Sequence, residues 1–459
     1  MVEDRICRLS IRERKREMAQ VSVWQQLRRW GRVGLALSLV LLLLFGDLLR
    51  LEAWAQEASG AIASFNLNAD LQDSDSFYDL PYPSDFRLDD KGHPDLSGFP
   101  VLDRSYGIFK RLKTIASDRP GFATTSVGYF RFNQPLARQD SSQLIPADVN
   151  APLLLMDVDR TSPERGRLFP VVASTPEPDP FYVPPHLLAV APYPGIVLQP
   201  ERQYAYVVRR SLSDANGLPL QASNVFAQLR QGLIPAGELK RKFKAYLLYK
   251  PLWETLDQLG IDRESVVVAT VFTTGDVVAE MAQLSDQILK RYDREVKSLQ
   301  FEPEDIITGL GYCKFTAQIK LPQFQRGRPP FFFFERQEGL FQFDPSGKLK
   351  QQDEEKIPLV ITLPKTPMPV GGYPLVAYYH GSGGLSSQVV DRGPVLEAEG
   401  KRIPGRGPAD VVARYGFASV GSALPLNPER IPNVVSDIFN NRAYLNPTNP
   451  SAYRDTFRQ

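Results

Sequence analysis

"PLVAYYHGSGGLSSQ", Pro374 to Gln388, opens as an apolar run and closes as a glycine-rich turn. Leu375–Tyr379 has the length of a short strand and is apolar enough to be buried on both faces. The run breaks at His380 into Gly381-Ser382-Gly383-Gly384. Glycines there let the chain turn sharply and bring bare backbone against a neighbouring group.

The flanks give this turn a setting. "YCKFTAQIKL" (Tyr312–Leu321) alternates as an amphipathic strand, "IPLVITLP" (Ile357–Pro364) reads as a second strand, and Leu375–Tyr379 as a third. Beyond the turn, Ala409–Tyr415 reads as a short helix stopped by Gly416, and "FASVGSALPL" (Phe417–Leu426) as a fourth strand. Three strands, a glycine loop, a helix and a further strand is the order in which an α/β-hydrolase sheet begins. Residues 297–459 are therefore expected to form the amino-terminal part of such a sheet.

In that setting the turn has a chemical use. A tetrahedral acyl intermediate carries negative charge on one oxygen, and losing one pre-oriented N–H donor to it costs about 3–4 kcal/mol. Gly381, Ser382, Gly383 and Gly384 are the candidate oxyanion loop, with His380 shaping the loop rather than acting as a base. Ser382, Ser386 and Ser387 lie in the loop and not at a strand-to-helix elbow, so none is expected to be a nucleophile. The sequence holds neither G-x-S-x-G nor S-x-x-K. Its nearest approach, Gly416 to Gly421 around Ser419, is one residue too long and falls within a strand. The only other histidines, His93 and His186, precede the hydrolase-like segment, and 33 residues follow Leu426.

Upstream, "DLPYPSDFRLDDKGHPDLSGFP" (Asp79–Pro100) reads as an ordered irregular segment, because four prolines and the Lys91-Gly92 turn pair exclude helix and strand. His93 sits in that turn among Asp89, Asp90 and Asp95, in no metal-ligand spacing. From Ser126 to Leu229 short apolar runs are divided by turn signals: Val127–Phe132, Leu153–Val158, Leu168–Ala173, Leu187–Ala191, Ile196–Leu198 and Tyr204–Val208. These predict an immunoglobulin-like β-sandwich over 118–232. Two helices follow, Glu238–Tyr249 with Leu239, Phe243, Tyr246 and Leu247 on one face, and a second after the break at Pro251, carrying Leu252, Leu256 and Leu259 to a stop at Gly260. Ser265–Asp276 reads as a buried strand. A helix from Val277 to about Arg291 is expected to turn Val278, Met281, Leu284 and Ile288 inward. Residues 233–296 form a connector on this reading, and 56–117 a linker with the proline-rich segment. Phe331–Phe334 is an aromatic run of core or lid type.

The amino terminus reads as an address. Val33–Gly46 is a 14-residue apolar core, short for the roughly 30 Å of a bilayer's hydrocarbon. Arg28, Arg29 and Arg32 precede it and Ala53-Trp54-Ala55 follows, so residues 1–55 are expected to be a signal peptide, with Met18 a candidate start, and the protein to be exported. Cys7 and Cys313 leave no intrachain pair in a processed chain. Charge is nearly balanced, with 54 Lys and Arg against 52 Asp and Glu, and much of the basic excess lies in the first 32 residues. A nucleic-acid partner has no electrostatic support, and no cofactor or metal motif appears.

"PYPSDFRLDDKGHPDLSGFP", "YAYVVRRSLSDANGLPL", "VVVATVFTTGD" and "PLVAYYHGSGG", in that order, resemble large exported bacterial α/β-hydrolases of the virulence-factor lipase type. The resemblance covers nearly all of Asp79 to Gln459. It implies a β-sandwich followed by a lipase or esterase domain acting on an ester or lipid substrate. Members of that family continue through a nucleophile elbow, an acid and a His that have no counterpart here. The resemblance thus carries over only the oxyanion loop and implies an inactive portion, with a downstream polypeptide as complementing partner. "NPSAYRDTFRQ" reads as the opening of a helix with Asn449 as N-cap and Pro450 at N1. The alternative is a non-enzymatic envelope protein that uses its sandwich for binding or spacing.

Overall fold

A computed structural model describes residues 59–101, 107–235, 238–276, 278–291, 300–303, 310–381, 383–396, 400–431 and 443–459. The expected signal peptide and Cys7 lie outside these residues. The described chain is rich in β-structure, with three sheets and a few helices.

Two antiparallel sheets occupy the first part. One has the order β1 (Gly128–Arg131), β5 (Leu187–Pro192), β4 (Val171–Ser174). The other runs β3 (Leu168–Phe169), β2 (Leu153–Asp157), β6 (Gln203–Arg209), β7 (Val266–Thr273). The run Leu168–Ala173 splits at Pro170, which cannot donate to a ladder, and its halves enter different sheets. Ile196–Leu198 joins no strand. Phe130, Val171 and Leu188 of one sheet share a single core with Leu155, Tyr206 and Phe272 of the other.

Two sequence expectations change here, and a third, the ordered proline-rich segment, gains its partners. The strand placed in a connector is β7, paired with β6 from Gln203↔Thr273 to Arg209↔Val266. Part of the supposed linker is core: Ala61, Ala63, Phe65 and Leu67 alternate into it, and Ala63 N–H donates to Gln221. The proline-rich segment is stapled down as well. Asp85 accepts from the backbone N–H (2.7 Å) and hydroxyl (2.6 Å) of Thr273 and from Gln203 (3.1 Å). Buried Arg87 donates to the Phe77 and Leu80 carbonyls and lies 4.1 Å over the Phe77 ring, and burial pulls its guanidinium down to about 10. His93 is in a turn, where Asp89 accepts from its backbone N–H and from that of Lys91.

After α1 (Ile108–Ser117) and α2 (Asn224–Arg230), the two helices expected around Pro251 are one, α3 (Leu239–Gln258). Pro251 withholds a donor from the Leu247 carbonyl, and Leu247 lies on the exposed side of the helix, where that loss costs least. Gly260 (φ +68°) ends the helix as expected. In α4 (Ala279–Arg291) Leu284 is buried and Ile288 packs beside it, but Val278 and Met281 face outward.

The third sheet has the order β11 (Leu375–Tyr378), β12 (Ala418–Ser422), β10 (Asp353–Pro364), β9 (Tyr312–Gln323), β8 (Gln300–Pro303). β9 and β10 pair antiparallel through all twelve residues, Tyr312↔Pro364 to Gln323↔Asp353. β12 is antiparallel to β10 and parallel to β11. The third and fourth predicted strands are thus neighbours, but β11 is an edge strand and not buried on both faces: Leu375 and the following Tyr379 are exposed. α5 (Gln388–Asp391) and α6 (Pro408–Ala413) cover one sheet face, packing Val389, Val390, Ala409 and Ala413 on Tyr312 and Val360. α7 (Pro450–Arg458) lies towards the other face, and Asn449 caps it as expected, accepting from Ala452 N–H at 3.1 Å. Of the aromatic run, Phe331 alone is buried; Phe332 and Phe333 are exposed.

Candidate oxyanion loop and the cavity beside it

The glycine loop leaves the carboxyl end of β11 and meets the chain leaving the carboxyl end of β12. His380 makes that junction. Its imidazole is 5% exposed, Nε2 accepts from the Leu424 N–H at 3.2 Å, and Nδ1 donates to the Gly381 carbonyl at 2.9 Å. One neutral tautomer, with the proton on Nδ1, satisfies both contacts. His380 therefore ties the two loops together.

Gly381 O also accepts from Gly384 N–H at 3.1 Å, which closes the turn. Gly383 sits at φ +66°, a conformation that favours glycine. Gly384 is required for another reason: a Cβ there would fall 2.6 Å from His380 Nδ1. At Gly381 a Cβ would meet only Arg392 Nη1, at 4.0 Å, so its backbone stays approachable. Ser382 lies outside the described residues.

The other candidate serines have structural partners. Ser386 is buried; its backbone N–H donates to Glu429 Oε2 at 2.6 Å and its hydroxyl to Oε1 at 2.8 Å. Ser419 is fully buried within β12, its hydroxyl 2.7 Å from that of Thr362. Neither is placed as an accessible nucleophile. Ser387 immediately precedes α5.

Beside the loop opens a cavity of about 880 Å³. Its floor is the sheet face carrying Ile319, Ile357, Leu359, Ala377 and Val420, its rim holds His380 and Gly381, and Tyr453 and Phe457 of α7 close its far side. Two polar residues from the stretch after β12 enter this apolar wall. Arg430, its side chain 5% exposed, pairs with Glu355 through Nε–Oε1 at 2.8 Å. Asn427 spends its amide N–H groups on the Leu424 and Pro425 carbonyls, and its buried Oδ1 has no partner among the described residues.

α7 is held by buried polar groups rather than by apolar packing alone. Gln325 Nε2 donates to Gly339 O, Ala452 O and Thr456 Oγ1, and Asp455 accepts from Phe341 N–H at 3.0 Å. Asn446 and Asn449 both donate to Phe331 O. Beneath the opposite face, burial and the carboxylates of Asp410 and Asp391 push the Tyr312 phenol up to about 12, and its hydroxyl donates to Gly405 O at 2.7 Å.

Sequence reading had placed the loop but not its partners. The fourth predicted strand ends early, at Ser422, and Leu424, Asn427, Glu429 and Arg430 all belong to the stretch following β12, which in an open parallel sheet is where ligand-binding residues gather. No family model, curated protein or solved structure matches this chain.

Proposed function

We propose that residues 310–459 carry the oxyanion-loop half of a serine-hydrolase site for an ester or lipid substrate. These 459 residues hold no G-x-S-x-G elbow and no histidine after His380, so the reading assigns the chain the loop and not the triad. One observation carries the reading: the glycine loop emerges at the carboxyl end of β11 and is pinned by His380 to the carboxyl end of its parallel neighbour β12. That is where an open α/β sheet places its site. The strand sequence β9–β10–β12–β11, with β11 at the edge among the described residues, supports an α/β-hydrolase sheet with room for a further parallel strand there. Such a strand would bring its elbow serine beside Gly381.

The first part of the chain, with seven strands split four and three around one core, supports an immunoglobulin-like sandwich on the same reading. Export belongs to the proposal too, and amino-terminal sequencing of the mature protein tests it: a start at Gln56 is expected, and a start at Met1 or Met18 counts against it.

The decisive assay is hydrolysis of p-nitrophenyl butyrate by the purified chain. No turnover above buffer is expected, with activity appearing when a polypeptide bearing a strand and G-x-S-x-G elbow is supplied. Saturable turnover by this chain alone, abolished in Ser386→Ala, would mean that the nucleophile is already present and would end the proposal.

A second reading, a binding protein without catalysis, draws on a cavity of about 810 Å³ in the first part, lined by Tyr78, Phe99, Phe181, Tyr182, Lys113 and Arg131. It predicts no esterase activity under any complementation.

A further inference from the structure

α3 has two apolar faces, and only one of them is used. Ala245, Tyr249, Leu252 and Leu256 are buried in the core shared by the first two sheets. On the opposite side Leu239 is 74% exposed, Phe243 49% and Leu247 51%. At about 100° per residue these three fall within roughly 80° of one another, so they make one stripe along two helical turns. Leu233 and Ile234, both exposed, precede it in the chain.

Charge borders the stripe. Between Glu238 and Lys250 the sequence places Lys240, Arg241, Lys242, Lys244 and Lys250 against the single carboxylate of Glu238. On the helical wheel Lys240 and Lys244 flank one edge of the stripe, while Lys250 sits over it. Arg241 and Lys244 lean inward as well, donating to the carbonyls of Ala69, Phe86 and Leu88, and Asp85 and Asp90 act on Lys244. Lys240 and Lys250 are exposed and make no ion pair among the described residues.

We propose that this face of α3 docks on an anionic lipid surface, with Leu239, Phe243 and Leu247 entering the headgroup boundary and the lysines meeting lipid phosphates. An exposed apolar stripe edged by cations has the composition of a helix that lies in a membrane interface. Solvation alone does not account for it, since large apolar side chains clustered on an exposed helix face mark an interaction site. The excess of cations selects an anionic occupant, each lysine near the surface adding roughly fivefold to partitioning at low salt. The inference is independent of the hydrolase reading.

The test uses the full chain and a local readout, because the apolar segment Val33–Gly46 can itself enter lipid. Lysine acetylation at Lys240 and Lys250 is read by mass spectrometry with and without vesicles. Vesicles of phosphatidylglycerol and phosphatidylcholine are expected to slow labelling at both lysines severalfold, and pure phosphatidylcholine vesicles to leave it unchanged. Phe243→Ser/Leu247→Ser, both at exposed positions, should restore labelling while leaving the thermal midpoint in place. Unchanged labelling with anionic vesicles would overturn the proposal, as would equal protection by phosphatidylcholine. Protection by polyglutamate or heparin that ignores Phe243→Ser/Leu247→Ser would assign the face to a soluble polyanion instead, and would overturn it equally.

Discussion

Glu429 grips Ser386 twice, through the backbone N–H at 2.6 Å and the hydroxyl at 2.8 Å, across 43 residues of sequence. The carboxylate thereby fixes the far end of the glycine loop to the chain leaving β12, as His380 fixes its near end. Glu429→Ala strands two donors of a buried residue and is expected to cost about 2–3 kcal/mol in urea unfolding. Ser386→Ala removes only the hydroxyl contact and should cost about 1 kcal/mol. Equal and negligible effects would mean that the pair does not form in solution.

Two glycines of the loop should respond in opposite ways. Gly384→Ala drives a methyl into the His380 ring, where 2.6 Å separates the new carbon from Nδ1. Overpacking of this kind costs about 1–3 kcal/mol and would pull His380 away from Leu424. Gly381→Ala meets nothing nearer than 4.0 Å and should leave the thermal midpoint almost unchanged. In a complemented, active protein the ranking changes, because a methyl at Gly381 crowds the approach to the loop. Gly381→Ala should then lower kcat/KM without loss of stability.

Asp410 supplies a pH dependence with a defined sign. Burial opposes its charge, but hydrogen bonds from Arg406 (3.1 Å) and Arg414 (2.6 Å) outweigh burial and hold the carboxyl below its ordinary value. A folded-state value below the unfolded one, near 3.9, gives stability that is present above that pH and lost as pH falls through the folded value. Asp410→Asn is therefore expected to lower stability by about 1–2 kcal/mol at pH 7, much of each arginine being exposed, and to cost little near pH 2. A penalty that persists undiminished at acid pH would assign the effect to packing.

The legible parts of the fold were those whose signal is local. The Gly260 stop, the Asn449 cap and the run of strands around the glycine loop each follow from a few adjacent residues, and each is in place. What was missed depends on partners distant in sequence. Leu375–Tyr379 reads as doubly buried from its apolar content, yet its place at the sheet edge exposes it. Val266–Thr273 reads correctly as a buried strand, but it belongs to a sheet and not to a connector because it pairs with β6, a partner some sixty residues earlier that no pattern within the strand identifies. The stripe Leu239–Leu247 has the spacing of a core face, and only the buried Ala245 and Tyr249 decide that the helix turns that stripe outward. Within the site, Glu429 is invisible for the same reason.

The edge position of β11 yields the last prediction. β12 lies between β10 and β11 and has its backbone groups paired on both sides, whereas among the described residues β11 pairs on one side only, over four residues. Unpaired edge groups exchange with water and offer a template for another strand. Amide exchange in the isolated chain should therefore be slow in Ala418–Ser422 and in the middle of β10, and fast for the outward amides of Leu375–Tyr378. Supplying a polypeptide with the elbow strand should slow exchange in β11 selectively and bring esterase activity with it, since the same pairing would seat the serine beside Gly381. If β11 exchanges as slowly as β12 with nothing added, its edge is already covered and no strand is awaited there. If β11 slows on complementation without any activity, the added strand pairs but carries no working nucleophile, and the proposed chemistry fails while the fold reading survives.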